Sequence, residues 1–349
     1  MTSKNNKWMI YGANGYTGSL IAKEAKSRGL IPVLAGRSDS CKALGQELGL
    51  ETRIFSCDSS ENIAENLKGM DLVLHCAGPF SQTSGPMLEA CLKTKTHYLD
   101  ITGEVSVFEG VHSKNSAIRE AGIVAIPGVG FDVVPSDCLA LMLKEKMLDA
   151  THLSMGFKST GGVSQGTAKT MVEGLSQGGA VRKAGKIEKV PSAYKVREIQ
   201  FNRKPELAVT IPWGDISTAY YSTGIPNIEI YLRTTPRAVL FMKVLRYMKK
   251  PLGIPLIQHG LKKAVEAMVK GPTEAERKNS YCILWGEISD SKKTLEMRLK
   301  VPEGYSLTVQ TSVTAVQKVL EGGVQAGAWT PSKAFGSQFI FDFAGVEVL

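Results

Sequence analysis

The 349-residue chain is long enough for two domains, and 43% hydrophobic content lets it bury a large core. No apolar run approaches the roughly 20 residues that span a bilayer, and the few apolar residues between Lys7 and Gly12 are too short for a signal-peptide core, so the chain reads as intracellular. Of the net charge of +9, a net of +8 falls between Arg233 and Lys278, where eleven Lys or Arg face three acids; the near-neutral remainder argues against a general nucleic-acid binder. Cys41, Cys57, Cys76, Cys91, Cys138 and Cys282 show neither C-x-x-C spacing nor histidines at zinc-ligand intervals and read as buried thiols, with no metal site.

In chain order, the apolar run Trp8 to Tyr11 predicts a buried strand, followed at once by Gly12-Ala-Asn-Gly-Tyr-Thr-Gly18. A helix follows from Ser19 to Arg28, with Leu20, Ile21 and Ala25 on one face and Gly29 as its stop. Ile31 to Ala35 is a second strand, Cys41 to Leu48 a helix, Thr52 to Ser56 a third strand and Asp71 to Cys76 a fourth, ending in Ala77-Gly78-Pro79. A helix starts at Pro86. His97 to Ile101 is a fifth strand, Val107 to Glu120 a helix and Ile123 to Ile126 a sixth strand. Alternation with short links means crossover units and a parallel sheet, and runs such as Leu72-Val-Leu, apolar on both sides, suit a sheet covered on both faces.

The glycine loop stands where a dinucleotide-binding fold needs it, between strand and helix. Gly12 permits the tight turn, Gly15 lets the backbone approach a pyrophosphate, and Gly18 lets the helix pack close to the sheet, with free amides at the helix start. Strand two then discriminates between cofactors. NAD-binding domains place Asp or Glu there for the ribose 2′-hydroxyl; this chain has Ala35-Gly36-Arg37-Ser38, and a guanidinium clamps a 2′-phosphate. The expected cofactor is NADP(H). Its candidate contacts are Gly12, Asn14, Gly15, Tyr16, Thr17, Gly18, Arg37 and Ser38, and, on position alone, Asp58, Ala77, Gly78 and Pro79.

Short-chain dehydrogenases and epimerases share such a loop, but they pair a Tyr with a Lys four residues on to lower the phenol pKa. None of the ten tyrosines has it: Tyr98 is followed there by Thr102, Tyr194 by Glu198 and Tyr220 by Gly224. No P-loop lysine, H-E-x-x-H helix or G-x-S-x-G elbow is present either. Tyr98-Leu-Asp100-Ile-Thr-Gly103-Glu104 and Gly128-Val-Gly-Phe-Asp132-Val-Val-Pro135-Ser-Asp137 resemble the saccharopine-dehydrogenase-like oxidoreductases. The segments Ser164-Gln-Gly-Thr167, Pro212-Trp-Gly-Asp215, Tyr221-Ser-Thr-Gly-Ile-Pro-Asn227 and Trp329-Thr-Pro331 are similar to the trans-acting enoyl reductase branch, with Gln165 where that pattern has a basic residue. The resemblance implies a second, α+β domain with a mostly antiparallel sheet, and a chain end that packs back on the first domain.

The residues beyond Asp132 read the same way. Pro135 to Met147 predicts a helix. Leu153 to Phe157, Ile228 to Leu232, Tyr281 to Gly286, Leu295 to Leu299 and Ser306 to Val309 read as strands. The expected fold is α/β, with a Rossmann domain over residues 1–130, an α+β substrate domain over 131–330 and a returning segment over 331–349. No catalytic residue is assigned. Asp132 can hold the nicotinamide loop or cap the next helix. Lys169 and Tyr221 can protonate an enolate or be a surface lysine and a core tyrosine, Tyr16 can cover the cofactor or staple its helix, and His75 and His97, on apolar strands, read as core groups.

The expected function is NADP(H)-dependent reduction of a lipid-like, carrier-bound enoyl substrate. The alternatives are an amino-acid dehydrogenase of saccharopine type and a non-catalytic, peripheral membrane protein that binds NADP(H). The basic segment 233–278 carries Leu240, Phe241, Val244, Leu245 and Met248 on one helical face, and either packs that face inward or presents it to an acyl carrier protein or an anionic membrane. The expected location is cytoplasmic, peripheral at a membrane if that face docks there, and a homodimer is left open.

Overall fold

In the computed structural model, which describes residues 6–162, 168, 172, 178–248, 252, 254–269 and 271–349, strand and helix alternate through the first third. The elements are β1 (Trp8–Tyr11), α1 (Tyr16–Ser27), β2 (Val33–Gly36), α2 (Ser40–Leu48), β3 (Thr52–Ile54), α3 (Ser60–Leu67), β4 (Leu72–His75), α4 (Phe80–Thr94), β5 (His97–Asp100), α5 (Val105–Ser113), α6 (Asn115–Glu120) and β6 (Val124–Ile126). Then α7 (Val134–Lys146) leads into β7 (His152–Ser159), β8 (Gly179–Lys183), β9 (Lys186–Val190), β10 (Val196–Ile199), β11 (Glu206–Thr210), α8 (Asp215–Thr223), β12 (Asn227–Arg233), α9 (Pro236–Leu245), α10 (Pro255–Met268), α11 (Glu274–Asn279), β13 (Tyr281–Ser289) and β14 (Thr294–Pro302). The last stretch holds α12 (Gly304–Leu320), β15 (Gly327–Ala328), α13 (Pro331–Phe335) and β16 (Glu347–Val348).

The chain divides into two units, one of residues 1–134 with 305–336, the other of 135–304 with 337–349. In the first, seven strands run in the order β15-β6-β5-β4-β1-β2-β3, all parallel. Alternate strand residues enter separate cores. Ile10, Leu34, Leu74 and Leu99 meet Ile21 and Ala25 of α1 on one face, and Met9, Val33, Val73 and Tyr98 meet Met87 and Cys91 of α4 on the other. That double burial is why these strands read as continuous apolar runs. In the second unit the order is β10-β11-β12-β7-β13-β14-β16, with β8 paired to β12 and β9 to β8. The β12–β7 pair is parallel and the other pairs are antiparallel. Phe201, Tyr231, Ile283 and Trp285 pack together on this sheet, and the Arg197 guanidinium lies 4.8 Å above the Trp285 ring while gripping Glu287 through two bonds.

Several elements differ from expectation. Ser306 to Val309 is not a strand but the first turns of α12. The alternation Leu307, Val309 mimics a strand for four residues, whereas Val309, Val313, Val316 and Val319 continue it at helical spacing into the core of the first unit. The return to the first unit therefore begins at Tyr305, earlier than residue 331, and ends at Gly336. The tail 337–349 belongs instead to the second unit, where β16 pairs with β14. Helix α3, β8, β9, β10, β11 and α8 were not foreseen, the expected helix 107–120 is split at Lys114, and α4 starts at Phe80, not Pro86. Pro86 sits inside α4, forfeiting one backbone bond. Among the described residues no helix is long and apolar enough to cross a membrane.

Because α12 fills one face of the parallel sheet, Val316→Ala should cost the first unit about 2 kcal/mol, the worth of two buried methyl-sized groups. The check is a lower urea midpoint, with unchanged slope, for the transition that NADPH protects.

Candidate functional site

The site is built at the place where neighbouring strands send their chains to opposite faces. β1 and β4 lie side by side, yet α1 packs into one core and α4 into the other, which opens a crevice at the carboxyl ends of the strands. The turn out of β1 is wired to its neighbours: the amides of Gly12 and Ala13 both donate to the Ala35 carbonyl, at 2.7 and 3.1 Å, and that of Gly15 donates to the Gly12 carbonyl at 3.0 Å. Gly12 has φ +85°, and a Cβ there would lie 2.8 Å from the Ala77 nitrogen. A Cβ on Gly18 would lie 2.2 Å from the Gly12 oxygen. The N-cap of α1 is Gly15, which brings no capping side chain to the start of that helix. Thr17 is half-buried in that first turn, and the ring of Tyr16 packs edge-on against Tyr305, 5.0 Å away, which gives it a structural contact.

The wall beyond β2 is braced by Asn14. Its Nδ2 donates to Ser40 Oγ at 2.9 Å and to Ser38 Oγ at 3.2 Å, and the two serines share a bond of 2.8 Å. A Cβ on Gly36 would lie 2.7 Å from Asn14 Oδ1. This bracing leaves Arg37 and Ser38 exposed at the strand end, and no ion pair engages Arg37 among the described residues. Asp58 is exposed too, and it shares the Tyr11 hydroxyl as a neighbour with Arg37. Burial raises the Tyr11 pKa, the charges of Cys57 and Asp58 add to that rise, and Arg37 opposes it. Arg37 and Asp58 thus stand at the same edge of the sheet.

On the other side, the turn Ala77-Gly78-Pro79 contains a cis Gly78–Pro79 bond and is pinned from beneath. Thr83 Oγ1 donates to the Ala77 carbonyl at 2.8 Å, so its remaining role toward His75 Nε2, also 2.8 Å away, is that of acceptor. That sets a neutral imidazole with the proton on Nε2, and burial holds its pKa at about 3. His97 Nδ1 accepts the Val124 amide at 3.0 Å and so ties β5 to β6. Both histidines are therefore structural. The Glu104 carboxylate accepts the amides of Phe80 and Ser81, each at 2.8 Å, closing the start of α4 to any other anion. Of the helices that follow β1 and β4, α4 has its start taken by a carboxylate, whereas α1 starts at a glycine with no capping side chain.

Asp100 is buried and accepts from the amides of Thr102 and Gly128 and from the Tyr98 hydroxyl, binding the two motifs that carry the family resemblance. Burial outweighs those donors and pushes its carboxyl up to about 6. Asp132 is likewise raised by burial to about 6, and it lies so close over Gly103 that a Cβ there would be 2.8 Å from Asp132 Oδ2. The sequence gives no sign of the roles of Glu104 and Ser40, whose partners Phe80, Ser81 and Asn14 lie more than twenty residues away, or of Thr83, whose partners are brought together by the turn after β4. Tyr221 lies on α8 in the second unit, about one-third exposed, and Lys169 lies outside the described residues.

The crevice fits a dinucleotide. Gly12 and Gly18 stand where a Cβ would collide, Gly15 brings no cap to the helix start, and the arginine at the discriminating strand end has no ion pair among the described residues. A family model, the saccharopine dehydrogenase NADP binding domain, matches residues 8–126. Over those residues the first unit resembles that family. Its cofactor is NADP(H). A saccharopine dehydrogenase-like oxidoreductase of Mus musculus is 29% identical over 202 residues, covering 50% of this chain and 47% of the relative. A trans-acting enoyl reductase of Mycobacterium leprae is 31% identical over 152 residues, 40% of this chain and 36% of the relative. The chain thus spans about half the length, or less, of the curated relatives it matches. The apo structure of saccharopine dehydrogenase (L-Glu forming) from Saccharomyces cerevisiae aligns over 99% of both chains with a TM-score of 0.69 at 11% identity, a likeness of fold.

Arg37→Asp should weaken NADPH binding roughly 10- to 150-fold, the worth of one charge-assisted contact, and leave NADH binding nearly unchanged. Fluorescence titration with both nucleotides reads this directly; equal affinity of the native protein for the two would contradict it. Gly15→Val places a branched side chain where the backbone must meet the pyrophosphate. It should abolish nucleotide binding while the melting temperature of the free protein stays within a few degrees.

Proposed function

We propose that the protein is an NADP(H)-dependent oxidoreductase that reduces the double bond of an enoyl, lipid-like substrate presented as a thioester. The observation that favours this substrate class over a multiply charged amino acid is the state of five arginines of the second unit, Arg182, Arg197, Arg233, Arg246 and Arg298. Arg182 donates to the carbonyls of Ile216 and Gly185, at 2.6 and 2.7 Å. Arg197 grips Glu287, and Arg233 pairs with Glu206 at 3.0 Å. Arg246 donates to Ser192 and Ala193, and Arg298 to Gln200. A substrate with two or three carboxylates would have to displace such bonds, each a charged donor already satisfied by a protein oxygen. An apolar acyl chain makes no such demand. The enoyl reductase relative from Mycobacterium leprae supports the same reading.

When bound, NADPH supplies a hydride to one carbon of the double bond, and a proton at the other carbon completes the reduction. The chain's part is to hold and orient. Gly12, Gly15 and Gly18 would admit the pyrophosphate to the uncapped start of α1, with Asn14 and Thr17 beside it, and Arg37 with Ser38 would hold the 2′-phosphate. Ala77, Gly78 and Pro79, pinned by Thr83, form the opposite lip. Asp100 and Glu104 position that lip and the Gly128 turn. His75 and His97 take no part as acids, since one is neutral down to about pH 3 and the other has its Nδ1 engaged by Val124.

The test is turnover with enoyl thioesters of increasing chain length, followed as loss of NADPH absorbance. Oxidation of NADPH should depend on the enoyl substrate, rise with chain length, and fall at least about tenfold with NADH, in line with a charged 2′-phosphate contact. Reduction of NADP+ driven by saccharopine would overturn the substrate class. Tight NADPH binding with no turnover on any thioester would overturn the oxidoreductase reading in favour of a nucleotide-binding role.

A further inference from the structure

Helix α9 carries two apolar faces, and the protein packs against one of them. Val239 is buried and Met242 packs with it against Ala193 and Val209, while the Arg246 guanidinium, one turn further on, donates to the carbonyls of Ser192 and Ala193. Those positions anchor the helix. Of the two readings the sequence left open for the other face, the structure shows it outward: Leu240 is 65% exposed, Phe241 63% and Val244 51%, with Tyr247 beyond them at 90%. The same holds on and beside α10, where Leu256 is 79% and Met268 82% exposed and Ile254 and Ile257 are also exposed. Eight of the seventeen exposed large apolar side chains among the described residues fall within residues 240–268. Scattered surface apolar residues do not concentrate in this way.

The charge around them has one sign. Arg237 and Lys243 on α9 and Lys263 on α10 are exposed, and no ion pair engages them among the described residues. Between Thr234 and Val269 the sequence holds one acid, Glu266. Lys249 and Lys250 lie outside the described residues. Large apolar side chains and a tyrosine next to unneutralised cations, on helices too short to span a bilayer, match the chemistry of an interface: acyl chains below, phosphate headgroups beside. A fluid surface accepts apolar side chains in any arrangement, whereas a folded protein partner must match their shape.

We propose that α9 and α10 dock the protein on an anionic lipid surface. Leu240, Phe241, Val244, Leu256 and Met268 enter the boundary between headgroups and acyl chains, and Arg237, Lys243 and Lys263 meet the lipid phosphates. The inference concerns a surface of the second unit and does not depend on the substrate proposed above. Vesicle binding is read without substrate or nucleotide, so its failure and the failure of the enzymatic reading are separate results.

The experiment is flotation of the full chain with phosphatidylcholine vesicles, with and without about a third phosphatidylserine, at low and physiological salt. The native protein should float with the anionic vesicles and far less with neutral ones, and binding should weaken as salt rises, because the attraction is screened beyond about 8–10 Å. Leu240→Glu with Phe241→Glu should reduce partitioning at least tenfold. Lys243→Glu with Lys263→Glu should reduce it by at least about fivefold for each charge removed from the surface. NADPH affinity and melting temperature should stay native in both variants, which shows that they fold. Absence of binding to anionic vesicles at low salt, or native binding by both variants, would overturn the proposal. So would binding to an acidic acyl carrier protein without binding to vesicles, or a dimer that Phe241→Glu dissociates in a protein that ignores vesicles.

Discussion

Gly12 is hemmed in twice: a Cβ on Gly18 would strike its carbonyl, and a Cβ on Gly12 itself would strike Ala77. On one side the start of α1 presses against it at Gly18; on the other the chain leaving β4 passes at Ala77. This triple approach at the sheet's point of divergence sets how closely α1 meets the strands. It also sets where the α1 amides face and how wide the crevice is. The brace from Asn14 to Ser38 and Ser40 and the peg of Thr83 beneath Ala77 fix the two lips of the same opening. Glu104 adds selectivity by occupying the competing helix start at α4. The chain thus offers one open anion site among adjacent helix ends, and it lies next to the exposed guanidinium of Arg37.

The first unit was legible in sequence because its signals are local. Each strand declares itself by a short apolar run, each crossover by a helical period, and the glycine loop by its place between them. Arg37 could be read because the end of strand two is a position with a fixed chemical meaning. Glu104 and Thr83 carry no such local mark. Glu104 acts on amides more than twenty residues upstream, and the Thr83 hydroxyl is oriented by a carbonyl and an imidazole that folding brings beneath it. Asp100 stands in a recognisable motif, but its task as a three-way acceptor joining that motif to Gly128 appears once the strands are side by side.

The misreadings have the same origin. Ser306 to Val309 alternates like a strand, and its helical character is visible once Val313, Val316 and Val319 are counted with it. The orientation of α9, left open by the sequence, has the same cause: its apolar residues outnumber what one buried stripe can hold, and periodicity cannot tell which of two stripes the core takes. Arg246 decides it, because its guanidinium reaches the carbonyls of Ser192 and Ala193 and so turns Val239 and Met242 inward. A helix so oriented shows solvent the larger apolar side chains.

The discontinuity of the first unit bears on how the protein is made. Its core on one sheet face is completed by Val309, Val313, Val316 and Val319, which leave the ribosome long after β1 to β6. At about 5–20 residues per second, roughly 10–35 seconds separate the emergence of Val134 from that of α12. During that interval Ile10, Leu74, Leu99 and Ile126 lack part of their cover. A nascent chain in this state is a natural client for holding chaperones, and nucleotide capture by the finished crevice would come late in synthesis, as a mark that the C-terminal helix has docked.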